Sequence, residues 1–102
     1  MAMRVIITEQ GRSALDDVLS GSITPMGKKG IKSFYAIFKN HKSLLPMNPL
    51  MGSQEPLLSE KYRSIVLHPL VKMIYSIDND TIYIHDFWNT LRDPNYLISR
   101  IH

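Results

Sequence analysis

The sequence contains no cysteine, which excludes disulfide scaffolds, thiolate zinc sites and cysteine nucleophiles together. No apolar run approaches the ~20 residues that a membrane-spanning helix needs. The apolar start Arg4-Val5-Ile6-Ile7 is too short for a secretion signal, and no small-residue cleavage site follows it. These absences point to a cytoplasmic protein without a membrane partner. Acidic residues are missing from one long stretch: none lies between Asp17 and Glu55, while Lys28, Lys29, Lys32, Lys39 and Lys42 do. The net charge of +3 is mild, but this uneven placement focuses positive potential on part of a small surface. Such a surface favours a polyanionic or acidic partner.

What is present is enough for one domain. The 102 residues are 44% hydrophobic and 21% charged, proportions that exclude wholesale disorder and predict a single domain over 1–102. Residues 3–8 are β-branched and predict a strand. Leu15, Val18 and Leu19 then recur at helical spacing, predicting a short helix over 10–19 that Ser20-Gly21-Ser22 stops. Thr24-Pro25 is a helix-start signal. The helix predicted over 25–43 places Ile31, Phe34, Tyr35 and Phe38 on one apolar stripe facing the core. Pro46, Pro49 and Pro56 make 44–60 a loop.

The last third predicts strands over 61–68, 70–77 and 81–88. Asp78-Asn79-Asp80 supplies the tight turn between the last two. Simple alternation puts Met73, Tyr75 and Ile77 on one face of this hairpin. It likewise gives Ile82, Ile84, Asp86 and Trp88 a common face and turns His85 and Asp86 to opposite sides. Arg92-Asp93-Pro94 ends the sheet, and 95–101 is predicted as a short terminal helix or strand. The fold class is therefore α+β: an N-terminal strand, a two-helix hairpin, then an antiparallel β-meander with the two helices on one face of the sheet.

Several chemistries drop out. His41, His68, His85 and His102 lack ligand spacing, so no metal or other cofactor is expected. No serine lies in a nucleophile elbow, and Gly27-Lys28-Lys29-Gly30 lacks both the phosphate-loop spacing and a preceding strand. A basic and polar set at strand ends remains: Lys61, Arg63, Lys72, His85, Arg92 and Tyr96. Phosphodiester cleavage needs groups of this kind. Arg and Lys stabilise the charge of the transition state, while His, Lys or Tyr moves the proton of a ribose hydroxyl.

The stretch Leu70-Val71-Lys72-Met73-Ile74-Tyr75-Ser76-Ile77-Asp78, followed by Ile82-Tyr83-Ile84 and Trp88-Asn89-Thr90-Leu91-Arg92-Asp93-Pro94, resembles the C-terminal sheet of the RelE/ParE superfamily. These are the small basic toxins of bacterial type II toxin–antitoxin (plasmid stabilisation) systems, and the order of elements agrees over nearly the whole chain. The resemblance implies a cognate antitoxin as partner. In its ribonuclease branch it implies a ribosome-associated mRNA endoribonuclease with Arg92, Lys72 and Arg63 as catalytic residues and Tyr96 near the branch's tyrosine. Lys61 and His85, from the basic and polar set, are expected to hold substrate together with Tyr96. Lys72 stands where that branch has arginine, which keeps the charge and loses the bidentate fork. Leu91 stands where many relatives have arginine, so an attenuated enzyme is one implication. The other branch implies a non-enzymatic module that inhibits DNA gyrase.

Overall fold

Thr8 sets the entry of the fold. The computed structural model describes residues 3–21, 26–90 and 94–100. The β-branched run extends as β1 (Arg4–Ile7), and Thr8 turns the chain into α1 (Glu9–Leu19). The Thr8 hydroxyl accepts the N–H of Gly11 at 3.0 Å and donates to the carbonyl of Ile84 at 3.2 Å, so one side chain caps the helix and ties it to the sheet. Gly11 makes that closeness possible. A β-carbon there would sit 2.5 Å from the Ile84 carbonyl oxygen and 3.2 Å from a methyl of Ile7. Gly11→Ala is expected to lower stability by about 1–3 kcal/mol despite alanine's better helix propensity, because backbone must move to admit the methyl. Urea unfolding checks this, and a stabilised variant would show that α1 can lift off the sheet.

The second helix, α2 (Lys28–Leu44), buries Phe34 and Phe38. Both meet the ring of Phe87 edge-on, at centroid distances of 6.1 and 5.2 Å. Tyr35 departs from the expected stripe and is 41% exposed. The helix points Phe34 and Phe38 straight at the sheet, one turn apart, which leaves Tyr35 on its shoulder. Thr24 and Pro25 lie outside the described residues.

The proline-rich loop contributes β2 (Ser53–Gln54), a two-residue edge strand. Then follow β3 (Tyr62–His68), β4 (Val71–Asp78) and β5 (Thr81–Asn89). The sheet order is β1-β5-β4-β3-β2, with β1 parallel to β5 and the other neighbours antiparallel. Asn79, at φ 54°, carries the left-handed residue of the β4–β5 turn. Buried side chains of α1 and α2 join Ile65, Met73, Tyr75, Ile82, Ile84 and Phe87 in the main core, so both helices cover one face as expected. The opposite face carries a second, smaller cluster of Tyr62, Ile74, Trp88 and Leu97, the last from the terminal helix α3 (Pro94–Arg100). No helix of the described residues is long and apolar enough to cross a membrane.

One register shift corrects the simple alternation. Ile74 pairs with Asp86 but Tyr75 pairs with Ile84, which leaves His85 as an extra residue in β5. Before this bulge Ile82 and Ile84 face the main core, and after it Phe87 does. Asp86 and Trp88 therefore lie on the other face from Ile82 and Ile84. His85 and Asp86 point to the same side, since Asp86 stands opposite Ile74 and His85 reaches Ser76 and Tyr62.

Candidate active site

The bulge delivers His85 to the face away from α1 and α2. There it lines a cleft of about 480 Å³ with Lys61, Ser76, Ile77, Asp78 and Tyr83. The two-residue turn fixes Ser76 opposite Tyr83, and the extra residue lets the imidazole lean across to β4. His85 Nε2 lies 2.7 Å from Ser76 Oγ. The Tyr62 ring meets the imidazole edge-on at 5.3 Å, and Tyr83 flanks it at 6.3 Å. Lys61 closes the site, its Nζ 5.1 Å from the centre of the Tyr62 ring. Asp78 is exposed at the rim.

Burial lowers the His85 pKa below its ordinary value, and the positive charge of Lys61 lowers it further. At neutral pH the ring is thus an uncharged imidazole, a proton acceptor beside a hydroxyl and an ammonium. A neutral base next to a cation can take a proton from a hydroxyl while the cation holds the neighbouring anionic oxygen.

The remaining residues singled out from the sequence lie elsewhere. Lys72 is on the same face as His85 but four residues from Ser76 along β4, roughly 13 Å at the rise of a strand. Its ammonium forms an ion pair at 2.5 Å with Glu55, a carboxylate that is only 1% exposed. Burial of Glu55 disfavours its charge, but the bond from Lys72, the Leu57 N–H, the Lys72 charge and the Ser64 hydroxyl together hold its pKa below the ordinary value. Arg63 points to the opposite face, where its guanidinium donates to the Gly52 carbonyl at 2.6 Å beside buried Tyr75. The Tyr75 hydroxyl accepts the Gly52 N–H at 2.9 Å and donates to the Pro49 carbonyl at 2.8 Å, fastening the proline-rich loop to the sheet. Arg92 and Leu91 lie outside the described residues, and Tyr96 belongs to α3. The structure therefore brings Lys61 and His85 together and keeps Lys72 and Arg63 apart, each with a partner of its own.

Sequence reasoning missed Glu55 and Ser76. Glu55 gave one signal, as the first acid after a long basic stretch in a segment otherwise without charge. Ser76 was recoverable from the turn, whose register places it diagonal to His85.

Neither a protein-family model nor a curated protein sequence matches the chain. Solved structures match it at low identity over most of its length. A chain of the chromosomal ParDE toxin–antitoxin system from P. aeruginosa aligns with a TM-score of 0.66 and 13% identity, covering 86% of this chain and 96% of that one. The DinJ–YafQ toxin–antitoxin complex of E. coli gives 0.62 and 12%, covering 89% and 96%. YoeB from Staphylococcus aureus, solved as a dimer, gives 0.60 and 12%, covering 84% and 94%. The chain has the RelE/ParE toxin fold.

Proposed function

We propose that the protein is the toxin of a type II toxin–antitoxin system and that it cleaves mRNA on the ribosome, in the cytoplasm, from the cleft around His85. The observation that carries the enzymatic reading is the pairing of an uncharged His85 imidazole with the Lys61 ammonium across one cleft. In this reading His85 takes the proton of the ribose 2′-hydroxyl as its oxygen attacks phosphorus and Lys61 neutralises the phosphate. The P–O5′ bond breaks, the 5′-oxygen takes a proton from water, and a 2′,3′-cyclic phosphate is left. Ser76 orients the imidazole, and Tyr62 and Tyr83 border the nucleotide. The resemblance adds Arg92 as a second cation for the transition state and Tyr96 as a substrate contact. Lys72 and Arg63 serve as supports, of the β3–β4 sheet and of the proline-rich loop respectively. A cognate antitoxin is the expected partner, in line with the toxin–antitoxin complexes among the matched structures.

A second reading, inhibition of DNA gyrase without catalysis, is favoured by one observation. Lys72 and Arg63, two of the three cations that the resemblance assigns to the scissile phosphate, are bound to Glu55 and Gly52. Purified chain added to a reconstituted translation reaction is expected to cut ribosome-bound mRNA and to leave gyrase supercoiling unaffected. Intact mRNA together with blocked supercoiling would reverse the assignment.

A further inference from the structure

The cleft around His85 holds charge of both signs, and the reaction proposed above uses only the positive one. Strand register sets how its parts are spaced. Tyr62, Ser76 and Tyr83 form one row across β3, β4 and β5, on the face away from α1 and α2. His85 leans back to Ser76, so its imidazole lies at this row. Asp78 stands two residues further along β4 on the same face, since Ile77 between them packs against the main core. That step is roughly 7 Å. Tyr62 is buried, whereas Tyr83 is partly exposed and has a ring face to offer. The Asp78 carboxylate lines the cleft and is exposed. In the adjoining turn the Thr81 hydroxyl donates to Asp80, not to Asp78. Among the described residues no hydrogen bond or ion pair engages the Asp78 carboxylate, although Lys61 lines the same cleft. A base seated on Tyr83 thus has imidazole and ammonium at its sugar end and an unengaged carboxylate at its far edge.

We propose that Asp78 reads the base of the nucleotide whose 2′-hydroxyl His85 deprotonates, and that this base is guanine. The placement of the ribose rests on the ribonuclease reading. An ionised carboxylate only accepts hydrogen bonds. Guanine offers it two neighbouring donors, N1–H and the 2-amino group, which the two oxygens accept together. Adenine and cytosine set one amine beside an acceptor nitrogen, and uracil sets one N–H between two carbonyls. Each of these leaves a carboxylate oxygen facing another acceptor, at a cost. The negative charge also fixes direction, because it repels phosphate and leaves that group to Lys61. The step from Ser76 to Asp78 suits the reach from a 2′-hydroxyl to the far edge of its own purine, and a pyrimidine falls short. Stacking on Tyr83 serves any base, so selection belongs to Asp78. Cleavage accordingly falls on the 3′ side of guanosine.

Isothermal titration of the full chain with the four nucleoside 3′-monophosphates tests the pocket without requiring turnover. Guanosine 3′-monophosphate is expected to bind about tenfold more tightly than the other three, as a bidentate pair discriminates. Inosine 3′-monophosphate, which keeps N1–H and lacks the 2-amino group, should fall between. Asp78→Asn should bring guanosine to the level of the others, and Tyr83→Leu should weaken all of them. Asp78 is exposed, so the melting temperature of its variant should stay near that of the parent chain. Equal binding of the four nucleotides, binding of none, or a guanosine preference that survives Asp78→Asn overturns the proposal. Mapping the ends of mRNA cut in the reconstituted translation reaction separates it from the reading on which it rests. Ends that fall after all four bases alike overturn guanine selection and keep the ribonuclease. Guanosine-selective binding that Asp78→Asn removes, with mRNA left intact, supports the base pocket and removes the ribonuclease.

Discussion

Lys72→Met is expected to lower stability by about 3–5 kcal/mol at neutral pH, because it leaves the Glu55 carboxylate buried without its counter-ion. For a domain of this size that corresponds to a fall of roughly 12–40 °C in melting temperature, a large share of the ~5–15 kcal/mol that folds such a chain. The pH dependence makes the test specific. In the parent chain the Glu55 pKa is lowered on folding, so the pair contributes fully above the unfolded carboxylate's titration range. That contribution is lost as the pH falls through the folded value. Without Lys72 the Leu57 N–H and the Ser64 hydroxyl still favour the charge, but burial, the largest influence, loses its main counterweight. The Glu55 pKa therefore rises above that of the parent, and protonation relieves the strain. The gap between parent and variant should therefore narrow as the pH is lowered from 7 to 5, read as urea midpoints at each pH. The double variant Glu55→Gln/Lys72→Met should recover much of the loss. A Lys72→Met chain within 1 kcal/mol of the parent would show that water reaches Glu55 and that the pair is a surface contact.

On the endoribonuclease reading proposed above, His85→Ala is expected to reduce mRNA cleavage by about 10²–10⁴-fold with little change in stability, as loss of a general base does. The parent rate should rise with pH as the imidazole loses its proton. It should level off below the usual histidine range, because burial and the Lys61 charge hold the pKa down. Lys61→Met removes one of those two causes, so the inflection should move up towards the ordinary value while the maximal rate falls. Ser76→Ala should lower the rate less than His85→Ala, as befits a residue that orients the ring. Cleavage that survives His85→Ala would move the chemistry to Arg92 and the terminal segment.

The sequence made the order of elements legible because each signal was local. Thr8 precedes a helical pattern, three prolines interrupt the middle, and Asp78-Asn79-Asp80 joins two alternating runs. The site was legible only in part. Lys61 and His85 are joined by a fold that the resemblance supplied, yet alternation misplaced Asp86 and Trp88. A single-residue bulge has no signature in composition, and its effect is to reverse every side chain beyond it. Lys72 and Arg63 illustrate a different limit. Their charge is visible in sequence, but whether a cation is free depends on where a distant loop lies. That loop is placed by the hydroxyl of Tyr75, 26 residues from the Pro49 carbonyl it holds. The same motif tyrosine that marks the strand thus fixes which cations are already engaged.

The parallel pairing of β1 with β5 bears on how the molecule comes into being. Arg4 lies beside Thr81 and Ile7 beside Ile84, so the first strand synthesised waits for the last. Until β5 has been made, Ile82, Ile84 and Phe87 are missing from the main core, α1 lacks the carbonyl that Thr8 binds, and His85 does not exist. A nascent chain lacking these residues has neither a closed core nor a cleft. Completion therefore resembles a latch thrown by the final strand, with a folding rate set by contacts between distant parts of the chain. Unfinished chains should be protease-sensitive, and that sensitivity should fall once residues 81–89 are available to pair.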